Sequence, residues 1–245
     1  TEAFASAKSA DLIISSPTVL ITGTDSSGKF HSGLHTDTIS SGNGGRLHLF
    51  TDNLELTNGG ILSSKSSIGS EGKIPSGDGG IINVEGYRVP GTLMTIDGLG
   101  SGIFSSAEGT GAAGDISLKA SSITVQNSGT ISASTSGPGD AGNITFSADS
   151  LTIASGGRVE ASTSSTGTGG SIGITTTGDI TVTGLTADGQ SRSGIFAKTL
   201  SGGGGSGSGS GSGGGGGSGG SVFKPGKAGE IALEAKTLFL NGGAQ

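Results

Sequence analysis

The side chains that could do chemistry are few and scattered along the chain. There is no cysteine, so a thiol nucleophile, a thiolate metal site and a disulfide frame are all excluded. His31 and His35 lie four apart, a spacing that places two imidazoles on one face of a helix. Here they sit on a loop and a strand, and His48 alternates with Leu47 and Leu49 and so points outward. Residues 76–82 and 110–116 carry Gly and Asp as calcium turns do, without the short Asp period that such turns need. Arg158 and Glu160 share one face of a strand as an ordinary solvated pair. Asn143-Ile144-Thr145 matches the glycosylation sequon at an outward corner. Tyr87, the sole tyrosine, stands beside Arg88. A flat amphipathic ring next to a guanidinium suits contact with a glycan or a protein surface, against the plainer reading of a ring packed back on its own fold. Hydrolases and lyases need carboxylates converging on one groove, and no such set is legible. The expectation is no catalytic residue, no cofactor and no metal ligand.

The elements that must position these residues follow from composition and period. Glycine supplies 53 of 245 residues, and 30% are hydrophobic. Glycine and the β-branched Thr, Ile and Val all disfavour helix. The formal net charge is −6, which argues against an electrostatic nucleic-acid binder. No apolar run reaches the ~18 residues of a membrane-spanning helix, so no membrane insertion is expected. The sequence opens at Thr1 with no basic or apolar leader, and so reads as a mature or excised segment.

A repeat organises the chain. Residues 113–135 and 141–163 are in register at an offset of 28, and a further copy starts at 169. The first buried aliphatic of each copy is Leu12, Leu47, Ile82, Ile116, Ile144, Ile172 and Ile231, a 28-residue unit with insertions. Inside a unit the alternation is strict, as in Ile144/Phe146, Leu151/Ile153 and Val159/Ala161. Period 2 puts each pair on one face of a short strand. Three strands per unit in constant register predict an all-β, right-handed parallel β-helix, a solenoid of about seven three-strand coils with loop insertions, forming a single domain over residues 1–245. Glycines before strand one (Gly45, Gly80, Gly114, Gly142, Gly170, Gly229) are expected to supply positive φ at corners. Ser64, Ser105, Ala133, Ala161 and Ala197 mark the narrowest part of the interior.

The phrases Ala-Gly-Asn-Ile-Thr-Phe (141–146), Leu-Thr-Ile-Ala-Ser-Gly-Gly (151–157) and Asn-Gly-Gly-Ala-Gln (241–245) resemble the passenger repeats of filamentous-haemagglutinin-like, two-partner-secretion exoproteins of the cyanobacterial surface type. The resemblance implies a right-handed β-helix, secretion, an extracellular place on a bacterial cell surface, and a structural role. The family's N-terminal secretion domain is not visible in these residues.

Insertions leave the units at 22–33 and 184–193 between strands two and three, at 85–93 around Tyr87 and Arg88, and at 65–77 and 200–228 after strand three. The last is a Gly/Ser-rich loop insertion, read as a solvated linker. Two functions remain open: a rod-forming segment of a surface filament, or a glycan- or surface-binding adhesin module acting through its loops. A polysaccharide-active enzyme ranks below both. The rod reading draws on the ends. Leu238 and Leu240 stand in a final unit that stops at Gln245, and Thr1-Glu2-Ala3 resembles the strand three Val159-Glu160-Ala161. Joining Gln245 to Thr1 would complete a coil, so copies of the chain are the expected partner, head to tail.

Overall fold

In the computed structural model, residues 8–39, 41–68, 74–88, 91–199 and 227–245 are described, together with the backbone strand Ala3–Phe4. The 200–226 part of the Gly/Ser-rich insertion lies outside the described residues. The described residues form strands, bridges, turns and bends and no helix. Every pair of named strands is parallel, in three sheets of three, twelve and six strands.

The chain makes repeated passes, and each lays its strands against their equivalents in the pass before. The seven anchor residues pair directly in series: Leu12 with Leu47, Leu47 with Ile82, Ile82 with Ile116, then Ile144, Ile172 and Ile231. Second strands do the same, from Thr18–Thr22 through Asn53–Thr57 and Leu93–Asp97 to Thr237–Asn241. Both sets belong to the twelve-stranded sheet. In the fourth and fifth passes the first two strands run on as single strands, Ile116–Gln126 and Ile144–Ala154. The joining stretches Ala120-Ser121 and Ala148-Asp149 hold neither glycine nor insertion that would break the ladder. Third strands, Gly33–His35 to Gly194–Phe196, form the six-stranded sheet.

A fourth ladder, which hydrophobic alternation does not reveal, follows strand three. It runs through Ala3, Thr38, Ser66, Ala107, Thr135, Thr163 and Thr199. Its members are small or hydroxylated, so they carry no apolar signal although most are buried.

The interior is aliphatic. Ile116, Leu118, Ile123, Val125, Ile131, Ile144, Leu151, Ile153 and Val159 are almost wholly buried. Each contributes about 1.5–3 kcal/mol of transfer energy. Among the interior's buried polar side chains, Ser64 Oγ donates to the Gly45 carbonyl at 2.6 Å and Ser105 Oγ to that of Gly80, while Ser66 Oγ has no hydrogen-bond partner among the described residues. Ser64, Ser105, Ala133 and Ala161 are fully buried, and Ala197 is partly buried.

The glycines before strand one serve a different purpose from the one expected of them. They do not adopt positive φ. They are required because a Cβ at Gly80, Gly114, Gly142, Gly170 or Gly229 would collide with the carbonyl oxygen of the equivalent glycine one pass earlier. Positive φ occurs instead where strand two turns into strand three. There Asn58-Gly59, Asn127-Ser128 and Ser155-Gly156 place two successive residues in the left-handed region, with Ser128 at φ 70 where its neighbours have glycine.

The insertions 22–33 and 184–193 fold into two equivalent antiparallel hairpins, bridged at Thr24–His31 and Leu185–Arg192. Gly28 and Gly189, both at φ 69, make the tips. In the first hairpin Asp25 accepts the Phe30 amide at 3.0 Å, the Ser27 hydroxyl at 2.6 Å and the Lys29 amide at 2.9 Å, and its pKa falls to about 2, chiefly through the Phe30 amide and then the Ser27 hydroxyl. Each hairpin leads into a similar phrase, Gly33-Leu34-His35 and Gly194-Ile195-Phe196, which Gly102-Ile103-Phe104 matches. At each, the aromatic ring folds back over the glycine, where a Cβ would strike it.

Candidate functional site

The residues singled out for chemistry are mostly engaged in holding the stack together. Carboxylates and amides at the corners before strand one accept backbone amides of the next pass. Asp11 takes Arg46 N at 2.8 Å, Asp78 takes Ala112 N at 2.8 Å, Asp115 takes Asn143 N at 2.8 Å, and Asp140 takes Thr168 N at 2.6 Å. The Arg46 amide, then Lys8, hold the Asp11 carboxyl below its ordinary pKa. Asn43 and Asn143 play the same part toward Asp78 N and Ser171 N. Asn143 also donates to Asp115, so the sequon amide is engaged on both sides. Of the positions just before the anchors, Asp11, Asp115 and Asn143 share this task, and Asn43, Asp78 and Asp140 do it three positions earlier, a link invisible without the stacking.

The histidines are also occupied. His31 Nδ1 lies 2.7 Å from the Gly59 carbonyl, fastening the first hairpin to the next pass. His48 Nε2 meets Glu85 Oε1 at 2.8 Å, with Lys119 on the other carboxylate oxygen at 3.6 Å. His35 Nδ1 lies 3.0 Å from Asp37, which also accepts Ser63 Oγ at 2.6 Å and Lys65 N at 2.7 Å. Burial raises the Asp37 pKa, and these hydrogen bonds outweigh it and hold the carboxyl below its ordinary value. Among the described residues no three His, Asp or Glu side chains gather as metal ligands.

Tyr87 and Arg88 are brought together. The guanidinium lies 4.5 Å from the Tyr87 ring centre and donates to the phenol oxygen at 3.0 Å. Asp52 of the preceding pass clamps the turn by accepting both amides, at 3.1 and 3.0 Å. Tyr87 is half-buried and Arg88 exposed, so one ring face is already covered by its own neighbour.

The strand-three face carries a shallow trough of about 390 Å³ floored by Ser106, Ser134 and Ser162. Of its charged groups, Arg158 and Glu160 pair with each other, Arg158 and Lys198 both stack on Phe196, and Glu108 accepts the Ile68 amide at 3.1 Å. The serine oxygens serve neighbouring backbone, as where Ser134 Oγ accepts Ser162 N at 3.1 Å and Ser162 Oγ accepts Lys198 N at 3.1 Å.

The first and last passes differ from the rest. In the last, Leu238 is 47% and Leu240 55% exposed, although both occupy inward positions that are buried everywhere between. Gln245 pairs beside Gly194, donating to Ser193 O and accepting Ile195 N at 3.0 Å each. At the other end Thr1 and Glu2 lie outside the described residues, and Ala3 pairs with Thr38. That overturns the alignment of Thr1-Glu2-Ala3 with strand three. Thr38 lies four residues past Leu34, so Ala3 belongs to the fourth ladder. A peptide link from Gln245 to Thr1 would put Ala3 level with Ala197, two positions short of the Thr199 row. The reliable signal was the nine residues from Ala3 to Leu12, which equal those from Thr135 to Ile144. A three-residue likeness between Thr-Glu-Ala and Val-Glu-Ala is weak beside it.

Comparison with family models, with curated proteins and with solved structures returned no match. The class that the structure itself defines is an all-β protein of stacked parallel strands.

Proposed function

We propose that the chain is a right-handed parallel β-helix serving as a rod-forming, non-enzymatic segment of a secreted bacterial surface filament or adhesin, polymerising head to tail through its two end passes. The observation that carries this is the pair of ends. Both present parallel strand edges and inward aliphatic rows in one register, Leu12/Ile14 and Val19/Ile21 at one end, Ile231/Leu233 and Leu238/Leu240 at the other. Such edges favour pairing with another chain, and a contact between unlike ends that does not close builds a filament. The non-enzymatic reading is supported by carboxylates spent on neighbouring amides. Secretion and surface location rest on the resemblance to filamentous-haemagglutinin-like repeats. Hairpins and the Tyr87 turn are then the displayed surface of the rod.

Electron microscopy of concentrated protein tests the proposal. Seven passes at about 4.8 Å predict unbranched filaments with an axial repeat near 34 Å. Protein that stays monomeric by light scattering at every concentration up to the millimolar range defeats it.

A further inference from the structure

Two outward rows of the end passes differ from their continuation in the middle passes, although other outward positions there are apolar too, as at Phe50 and Leu93. The central outward row of the second strands reads Leu20, Glu55, Thr95, Thr124, Thr152, Thr181, Phe239, each paired directly with the next. It is polar through five passes and apolar at the first and last. The outward row of the first strands reads Ile13, His48, Asn83, Ser117, Thr145, Gly173, Ala232: apolar at the first pass, polar over the next four, and small at the last two. Ile13 is 68% exposed, Leu20 59% and Phe239 49%. An outward leucine or phenylalanine adds nothing to the interior of its own pass.

Resting on the head-to-tail reading, we infer that the joint is sealed outside as well as inside, with a second copy as the occupant. Continuing both rows by one step sets Leu20 of one copy against Phe239 of the other, and Ile13 against Ala232. Aromatic–aliphatic pairs directly opposite one another are a favoured cross-strand contact. An end-on neighbour in register brings both rows into contact at once. The apolar pair thus specifies the joint: a stack slipped by one strand residue would set Leu20 against an inward position instead. The fourth ladder fits the same join. Ala3 pairs with Thr38 in the first pass, and Thr199 is the last member of that row before the final pass.

The test uses Leu20→Glu and Phe239→Lys, alone and mixed. Both rows accept polar residues in the intervening passes, so each variant should keep the parent's circular dichroism and Tm. Should either melt early, Leu20→Thr and Phe239→Thr, which copy the interior rows, replace them. Each single variant should raise the concentration at which filaments form about fivefold, the size of one cross-strand pair. An equimolar mixture of the two charged variants should return to the parent value. Its alternating joints set the introduced ammonium against the introduced carboxylate at one contact, and the native Phe239 against the native Leu20 at the next. Variants that polymerise like the parent overturn the inference and leave the head-to-tail reading standing. Variants that keep filament length and lose only side-by-side bundling overturn it as well, by making the rows a lateral contact. A parent that forms no filaments defeats the head-to-tail reading and this inference with it.

Discussion

The fourth and fifth passes and the last pass have nearly the same pattern, and their side chains fare differently. Ile123 and Val125 are fully buried, while Leu238 and Leu240, two passes beyond the fifth, are half exposed. The residue types and the alternation are alike. What differs is a neighbour on each side, against a neighbour on one. Burial in this molecule is conferred by the adjoining passes, so the stack rather than the pass is the cooperative unit.

The sharpest way to break this comparison is to place a charge at equivalent positions. Ile123→Asp buries an unpaired carboxylate and should cost well over ~3 kcal/mol. Leu238→Asp, with water on one side, should cost about 1 kcal/mol in dilute protein and abolish filaments at high concentration. Thermal melts of the two should be far apart, and equal losses would mean that the last pass is covered in solution. Next in size is crowding at the corners. Gly142→Ala drives a Cβ into the Gly114 carbonyl and should cost about 2 kcal/mol, whereas Gly173→Ala meets open space on the outward face and should gain up to about 0.5 kcal/mol. Urea midpoints distinguish them.

The clasp at Asp37 belongs to the first two passes. Its hydrogen bonds favour the charged form, so its folded pKa lies below the ordinary 3.8. The stabilisation is complete above that value and is lost as pH falls through the lower, folded one. Asp37→Asn should cost about 1 kcal/mol at pH 7, and the gap from the parent should close in melts taken below pH 3.8. The smallest expected effect is a gain. Ser128 holds a left-handed conformation that Gly59 and Gly156 take at the equivalent turn positions. Ser128→Gly removes that strain, and after the extra entropy of an unfolded glycine should leave about 0.5 kcal/mol of stabilisation, read as a small rise in Tm.

Much of the fold was legible because it depends on a period. Strict alternation at a 28-residue offset identified all seven anchors, and each pairs with the residue expected. Aliphatic rows are long-range contacts that repeat locally, so one sequence window carries their signature. The fourth ladder stayed hidden, since Thr38, Ser66 and Thr163 have no apolar signal to alternate. The candidate site was legible only in part. Tyr87 and Arg88 could be picked out, but not the Asp52 clamp from 35 residues earlier that holds their turn.

Sequence by itself determined the apolar strands of each unit, their inward faces and their order, because side-chain period and hydrophobicity are properties of neighbouring residues. Tertiary structure decided everything that depends on what lies one pass away. It showed that the glycines before strand one yield to a carbonyl rather than to a dihedral angle, and that Asp11, Asp115 and Asn143 do one job. It also moved Ala3 from the third ladder to the fourth. In each case the deciding atom belongs to the equivalent part of the neighbouring pass, 28 to 59 positions distant, brought within hydrogen-bonding or contact distance by the stacking.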